Sequence, residues 1–299
     1  MYHKSRLVLV LFACMLSGCG GGGSGVSSGP VPVPTPTPAT YQTLDQLTGS
    51  RAFQLAGTYV ERSGEASTGA TFSSDKGVSI AYDQASDTYT LTAGPWGYST
   101  VLRPENRTND AARATDNFDK REGGTHDNGY IFRPSVSAAK LTYTTVLGWG
   151  REASGQPTRS ILAVGGIPTR AEDMPKTGSA TYSTAPVVAG FTQNGVDNGA
   201  RSFSSTFSAD FTAGSVKTTL QAEGNGFAAG YAGTGSIASG TSGFSGALTP
   251  DAAFPGTPGS GRFEGGFFGP SAKEMAYSWY ITGSGIDGQG VVAGVRQGL

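Results

Sequence analysis

The run Gly261-Arg262-Phe263-Glu264-Gly265-Gly266-Phe267-Phe268-Gly269-Pro270-Ser271-Ala272-Lys273-Glu274 decides the reading of this chain. Phe263, Gly265 and Phe267 stand two steps apart, so in a strand all three share a face. Two phenylalanines assign that face to an interior, and Gly265 between them leaves room for a bulky neighbour across the layer. Phe268-Gly269-Pro270 ends the strand, because proline cannot donate to a ladder. Glu274 then begins a returning strand. In it Met275, Tyr277, Trp279 and Ile281 line one face, with Ala276, Ser278 and Thr282 on the other.

Outward from this pair the pattern repeats. Alternating or apolar stretches fall near 179–191, 201–211, 214–222, 232–238, 242–248, 260–268, 274–282 and 290–296, with turn residues between nearly all of them. Phe203, Phe207 and Phe211 also suit a helix face, but the Ser and Thr residues between them are poor helix formers. As a strand, these three point the same way as Ser205 and Ala209. Eight short strands with one apolar face each can close into a barrel filled by side chains, which removes exposed edges. Gly265, Gly266 and Gly269 supply the bends that tight closure requires.

Upstream, Val78-Ser79-Ile80-Ala81-Tyr82 and Tyr89-Thr90-Leu91-Thr92 alternate around a turn at 83–87 and predict a hairpin. Leu141, Tyr143, Thr145, Leu147 and Trp149 are expected on one face of a strand. Between these strands, Arg103 to Asp127 is polar and mixed in charge, and reads as a long exposed excursion. A strand over Ser160–Val164 leads into the proline-bounded stretch Pro168 to Pro175, which is the expected domain boundary.

The C-terminal half resembles the transferrin-binding protein B family. Lys176-Thr177-Gly178-Ser179-Ala180-Thr181-Tyr182 resembles its opening barrel strand, and Ala209-Asp210-Phe211-Thr212-Ala213-Gly214-Ser215-Val216 its hairpin. The 261–274 run resembles the G-x-F-x-G-x-F-[FY]-G-P-x-A-x-E signature, and Gly290-Val291-Val292-Ala293-Gly294-Val295-Arg296 the closing strand. The resemblance covers roughly 175–297 in order and spacing. It implies an all-β protein in which a looser N-terminal β handle precedes an eight-stranded antiparallel barrel on a lipoprotein stalk. It also implies a surface binding role, since relatives grip host transferrin, complement factor H or haem carriers. Two departures stand out: one lobe where transferrin binders have two, and Ala276-Tyr277 where the motif continues with glycine. Family binding residues sit in variable loops, so no ligand-binding residue transfers to a position here.

The ends carry the export signals. Lys4 and Arg6 precede an apolar run over Leu7–Leu16, far short of the ~20 residues of a spanning helix but suited to a secretory signal. It ends in Leu16-Ser17-Gly18-Cys19, which looks like a lipobox and makes Cys19 the lipidation site. Cleavage discards Cys14 and acylation consumes Cys19, so a mature protein of this kind has no thiol for a disulfide, metal or nucleophile. Its fold must stand on its core alone. Gly20–Gly25 is a flexible tether, and the alternating prolines of Val31–Pro38 favour a stiff polyproline II spacer. Gly20, where Asp would suggest inner-membrane retention, points to the outer membrane. The expected division is a signal peptide over 1–18, a tether over 19–40, a handle over 41–174 and a barrel over 175–299.

Composition agrees. Glycine is 47 of 299 residues and charged residues are 14%, against ordinary values near 7% and 25%. Removing Lys4 and Arg6 leaves 19 basic against 22 acidic residues, a charge of −3. No basic run is present, which sets nucleic acid aside as a partner.

Chemical motifs are few. Gly283-Ser284-Gly285-Ile286-Asp287-Gly288 spells a dinucleotide fingerprint, but strand follows it where a helix N-terminus is needed, so it reads as a hairpin turn. Gly25-Val26-Ser27-Ser28-Gly29 matches a nucleophile-elbow pattern inside the tether, where nothing can orient a serine. His126, the one histidine downstream of Cys19, reads as a solvent-exposed loop residue; an axial haem ligand is its alternative role. Asn106-Arg107-Thr108 reads as loop composition. No catalytic residue, metal ligand or cofactor is assigned, and an enzyme is not expected. The functional expectation is an outer-membrane lipoprotein, held by lipid on Cys19, that binds a protein or small-molecule ligand, with iron or haem carriers as the suggested class. A structural or immune-shielding surface lipoprotein without cargo is the alternative.

Overall fold

A computed structural model describes residues 40–298 except 65, 109–114, 194–195, 198–199, 225–226 and 284. The signal peptide, Cys19 and the tether therefore lie outside the described residues. Tyr41–Leu299 form one compact unit.

The N-terminal part contributes strands β1 (Arg51–Gln54), β2 (Ala56–Ser63), β3 (Ala66–Phe72), β4 (Val78–Asp83), β5 (Thr88–Ala93), β6 (Tyr98–Leu102), β7 (Thr115–Glu122), β8 (Thr125–Phe132), β9 (Ser135–Val136), β10 (Ala139–Lys140), β11 (Thr144–Ala153) and β12 (Thr158–Gly166). They build a four-stranded sheet, β1-β4-β5-β6, and a six-stranded sheet, β3-β2-β12-β11-β8-β7, while β9 and β10 pair separately. The expected hairpin over 78–92 is β4–β5, with Tyr82 directly opposite Tyr89.

The C-terminal part contributes β13 (Ser179–Gln193), β14 (Val196–Asp197), β15 (Ala200–Asp210), β16 (Ser215–Gly224), β17 (Phe227–Ile237), β18 (Gly243–Pro250), β19 (Ser260–Phe268), β20 (Glu274–Gly283) and β21 (Ile286–Arg296). Apart from the two-residue β14, these are the eight expected strands. Each pairs antiparallel with its neighbour, and β21 pairs back on β13, which closes the barrel. Pro186 lies in β13 at a register shift between Pro186 and Val188, where a missing N–H is tolerated.

The barrel interior is packed with side chains. Phe207, Phe244, Phe263, Phe267, Tyr277, Trp279 and Tyr231 belong to one buried cluster. The alternation in β19 and β20 predicts this: Phe263 and Phe267 are both fully buried, and Gly265 stands directly opposite Tyr277. A Cβ on Gly265 would fall 2.1 Å from the Ala276 carbonyl oxygen and 2.5 Å from the Tyr277 Cβ. Gly265 is therefore a close-approach glycine in a strand.

The turn after β19 is tight. Gly269, Ser271 and Ala272 have φ of 71°, 52° and 56°, a left-handed conformation costly for the two non-glycine residues. The first and last barrel strands both hold it. The Tyr182 hydroxyl of β13 donates to the Ala272 carbonyl at 2.8 Å, and Arg296 Nη1 of β21 to the Ser271 carbonyl at 2.8 Å. The signature thus supports a junction where the opening and closing strands meet.

Two expectations are corrected in the handle. Arg103–Asp127 is not an exposed excursion. It holds a 3-10 turn over Pro104–Asn106, the whole of β7 and the start of β8, and Phe118 is buried between the two sheets. The hairpin is obscured in sequence because polar and charged residues face each other across it, Lys120 opposite Asp127 and Arg121 opposite His126. The face expected over 141–149 is also split. Leu147 and Trp149 pack between the two sheets, whereas Leu141 and Tyr143 precede the strand and join Val146 against the barrel. Every residue from Thr144 to Trp149 is buried. The six-stranded sheet is a middle layer, covered by the four-stranded sheet on one side and by β20 and β21 on the other. Its central strands therefore lose the one-sided alternation of a half-buried sheet.

Candidate ligand-binding cleft

The cleft of interest lies in the handle, where the four-stranded sheet faces the β7–β8 end of the six-stranded sheet. β1 projects Arg51 and Phe53 from the same face, two residues apart. β4 adds Ile80 and Tyr82, and β5 adds Tyr89 opposite Tyr82. Asp116 comes from β7, Ile131 and Phe132 from β8, and Arg133 follows directly. Leu44, Asp45 and Thr145 complete the lining. The space between them is about 220 Å³.

Phe53, Ile80 and Ile131 make its apolar wall, and they pack on the core between the sheets. The polar groups are mostly committed. Arg133 Nη2 lies 2.6 Å from Asp45 Oδ1, and this bond holds the Asp45 carboxyl below its usual range. The Tyr89 hydroxyl donates to Asp116 at 3.1 Å, and burial first, then the nearby Asp116 charge, raises its pKa, so it stays a neutral donor. Asp87 accepts from Arg107 Nη2 at 2.7 Å and from the Tyr82 hydroxyl at 3.0 Å; the Arg107 bond chiefly lowers its pKa.

Arg51 differs. Its guanidinium carbon lies 4.8 Å from the Tyr82 ring centroid, a cation–π placement. Its hydrogen bond goes to the Gly49 carbonyl at a long 3.5 Å. It takes part in none of the ion pairs found among the described residues. The cleft thus combines hydrophobic walls with a half-buried cation that still has donors to give. Sequence reading missed it because its residues come from seven separate segments. The local signals were the Arg51/Phe53 alternation and the Tyr82–Tyr89 hairpin pair.

The residues singled out from sequence fall elsewhere. The loop reading of His126 is corrected: it sits on β8, with its side chain 19% exposed. Nε2 lies 3.0 Å from Asp119 Oδ2 and Nδ1 3.6 Å from Glu152 Oε2, so carboxylates flank both ring nitrogens. The Asn106 side chain accepts from the Arg103 N–H at 2.8 Å and caps the 3-10 turn. Gly283 and Gly285 belong to the β20–β21 hairpin, as the strand reading predicts. Among the described residues no group of three or more His, Cys, Asp or Glu side chains could hold a metal ion, and no helix is long and apolar enough to cross a membrane.

The barrel meets the handle through polar contacts that the sequence did not announce. Glu274 is buried and accepts four hydrogen bonds from the chain leading into β11. Thr142 N at 2.7 Å and Thr142 Oγ1 at 3.0 Å donate to Oε1; Tyr143 N at 3.0 Å and Thr144 Oγ1 at 2.8 Å donate to Oε2. Further along, Thr58 meets Ser278 at 2.5 Å, Gln289 reaches both Thr58 and Ser160, and Arg62 pairs with Asp287.

The barrel also has known counterparts. Residues 174–296 match the family model of the C-lobe and N-lobe β-barrels of Tf-binding protein B. Among solved structures, transferrin-binding protein B from Haemophilus parasuis is 13% identical, covering 84% of this chain and 45% of that one with a TM-score of 0.49. The protein from serogroup B Neisseria meningitidis is 19% identical, covering 81% and 43%, with a TM-score of 0.47. The N-lobe domain of lactoferrin-binding protein B from Moraxella bovis is 13% identical, covering 84% and 100%, with a TM-score of 0.34. The chain spans less than half the length of the first two. No curated protein sequence matches it. Residues 174–296 thus match the β-barrel of the Tf-binding protein B lobes, and in this chain that barrel follows a β handle.

Proposed function

We propose that this chain is an outer-membrane lipoprotein, anchored through lipid on Cys19, that binds a ligand at the cell surface in iron or haem acquisition. The observation that carries the proposal is the match of residues 174–296 to a barrel family described by transferrin binding. The cleft in the handle is a concave place for such binding, where an apolar wall meets several polar and charged side chains. The sequence favours binding over catalysis. A chain processed and acylated at Cys19 retains no free thiol and one histidine, and that histidine stands between two carboxylates on a strand.

Two measurements test the reading. Purified full chain, immobilised, is exposed to transferrin, lactoferrin and a haem-carrier protein, and titrated separately with haem; saturable binding of one of them is expected. Binding of none would favour the structural or shielding alternative. For the anchor, cells fed a palmitate analogue should label the wild-type chain and not Cys19→Ala. Equal labelling would remove the lipobox from the account.

A further inference from the structure

We infer that the handle cleft binds a small hydrophobic carboxylate, with Arg51 as the group that recognises the acid. The inference rests on the cleft being a ligand site, as proposed above, and adds the chemistry of what fills it.

Size sets the first limit. About 220 Å³ is more than the roughly 150 Å³ cavity that holds a benzene ring, and less than the roughly 300–1,000 Å³ of drug-sized sites. The space suits one ring or a short branched chain. Phe53, Ile80 and Ile131 give that body an apolar wall.

Charge sets the second. A guanidinium has five N–H donors in a planar fork matched to a carboxylate. Arg133 is engaged by Asp45, and Arg107 outside the lining by Asp87, whereas Arg51 has one long bond to a carbonyl. Stacking on Tyr82 orients the fork without consuming its donors. With Asp45 paired to Arg133, Asp116 is the remaining acidic group of the lining, on the opposite wall and bonded to Tyr89. It makes a second negative charge on the ligand unfavourable, so a monocarboxylate fits better than a diacid.

Calorimetry on the purified full chain tests this with phenylacetate as probe, and with phenylacetamide, its neutral isostere, and phenylmalonate, its diacid. Phenylacetate is expected to bind, with the amide at least about tenfold weaker because hydrogen bonds to charged groups exceed neutral ones by that order, and the diacid weaker because its second charge faces Asp116. Arg51→Gln should lose about tenfold in affinity for phenylacetate and Arg51→Lys less. The melting temperature of each variant shows that it is folded, and line broadening of Tyr82 and Tyr89 ring signals locates the probe. Equal binding of acid and amide would overturn the assignment to Arg51 while leaving the cleft a binding site. Absence of binding by all three probes at millimolar concentration would overturn both the inference and the cleft.

Discussion

Glu264 lies on the outer face of β19, beside Ser245 and Ser278 on the neighbouring strands and under the handle. Burial, reinforced by the charge of Asp75 and opposed by Arg262, raises its pKa from 4.5 to about 7. An unfolded Glu264 ionises near 4.5, so between that pH and 7 the folded state keeps a proton that the unfolded chain has lost. Stability therefore falls as pH rises through this window, and above it the full penalty of a desolvated carboxylate applies. Glu264→Gln is expected to raise the melting temperature at about pH 8 and to leave it unchanged at about pH 4. A variant that melts lower on the alkaline side would show that the carboxylate makes a favourable contact there.

Among the elements, β19 and β20 carry the barrel core. Phe267 contacts Tyr182, Phe207, Phe211 and Phe244, with ring centroids between 4.9 and 6.2 Å. These partners come from β13, from β15 and its turn, and from β18, so one side chain ties opposite walls together. Phe267→Ala should cost about 3–5 kcal/mol, as truncation of buried phenylalanines does. Urea denaturation should show the loss as a lower midpoint with unchanged slope. A cost below about 1 kcal/mol would mean that the interior repacks around the void. Packing also explains which elements were legible. The barrel strands are covered by core on the inside and by solvent or handle on the outside, and alternating burial survives in β15 and β16. The β7–β8 hairpin buries Phe118 but leaves Asp119, Lys120 and Arg121 at least partly exposed, so its sequence looks like a loop.

For the whole molecule, the question is how far the barrel depends on the handle. The closed barrel pairs its own strand edges, which favours independent folding of residues 175–299. The outer face of β20 and β21, however, buries Ala276, Val291 and Ala293 against Leu162, Val164 and Tyr143 of the handle, and Phe268 joins them. Glu274 would lose its four hydrogen bonds to the handle. The isolated fragment is expected to fold as a β-barrel, to melt below the full chain and to bind a hydrophobic dye that the full chain excludes. A fragment without β-sheet circular dichroism would make handle and barrel one inseparable folding unit.

Sequence alone was enough for the all-β class, the eight barrel strands and the inward direction of Phe263, Phe267, Met275, Tyr277, Trp279 and Ile281. Each is a local matter: a period of two and a turn residue at the right place specify which side chains share a face. Three features came instead from the folded chain: Glu274 anchors the handle, β11 is buried on both faces, and Arg51 opens into a cleft without an ionic partner. These depend on contacts between residues far apart in the chain, or on segments that pack together from separate sheets. Whether a charge is satisfied is set by what stands across the space from it, and no periodicity along the chain records that.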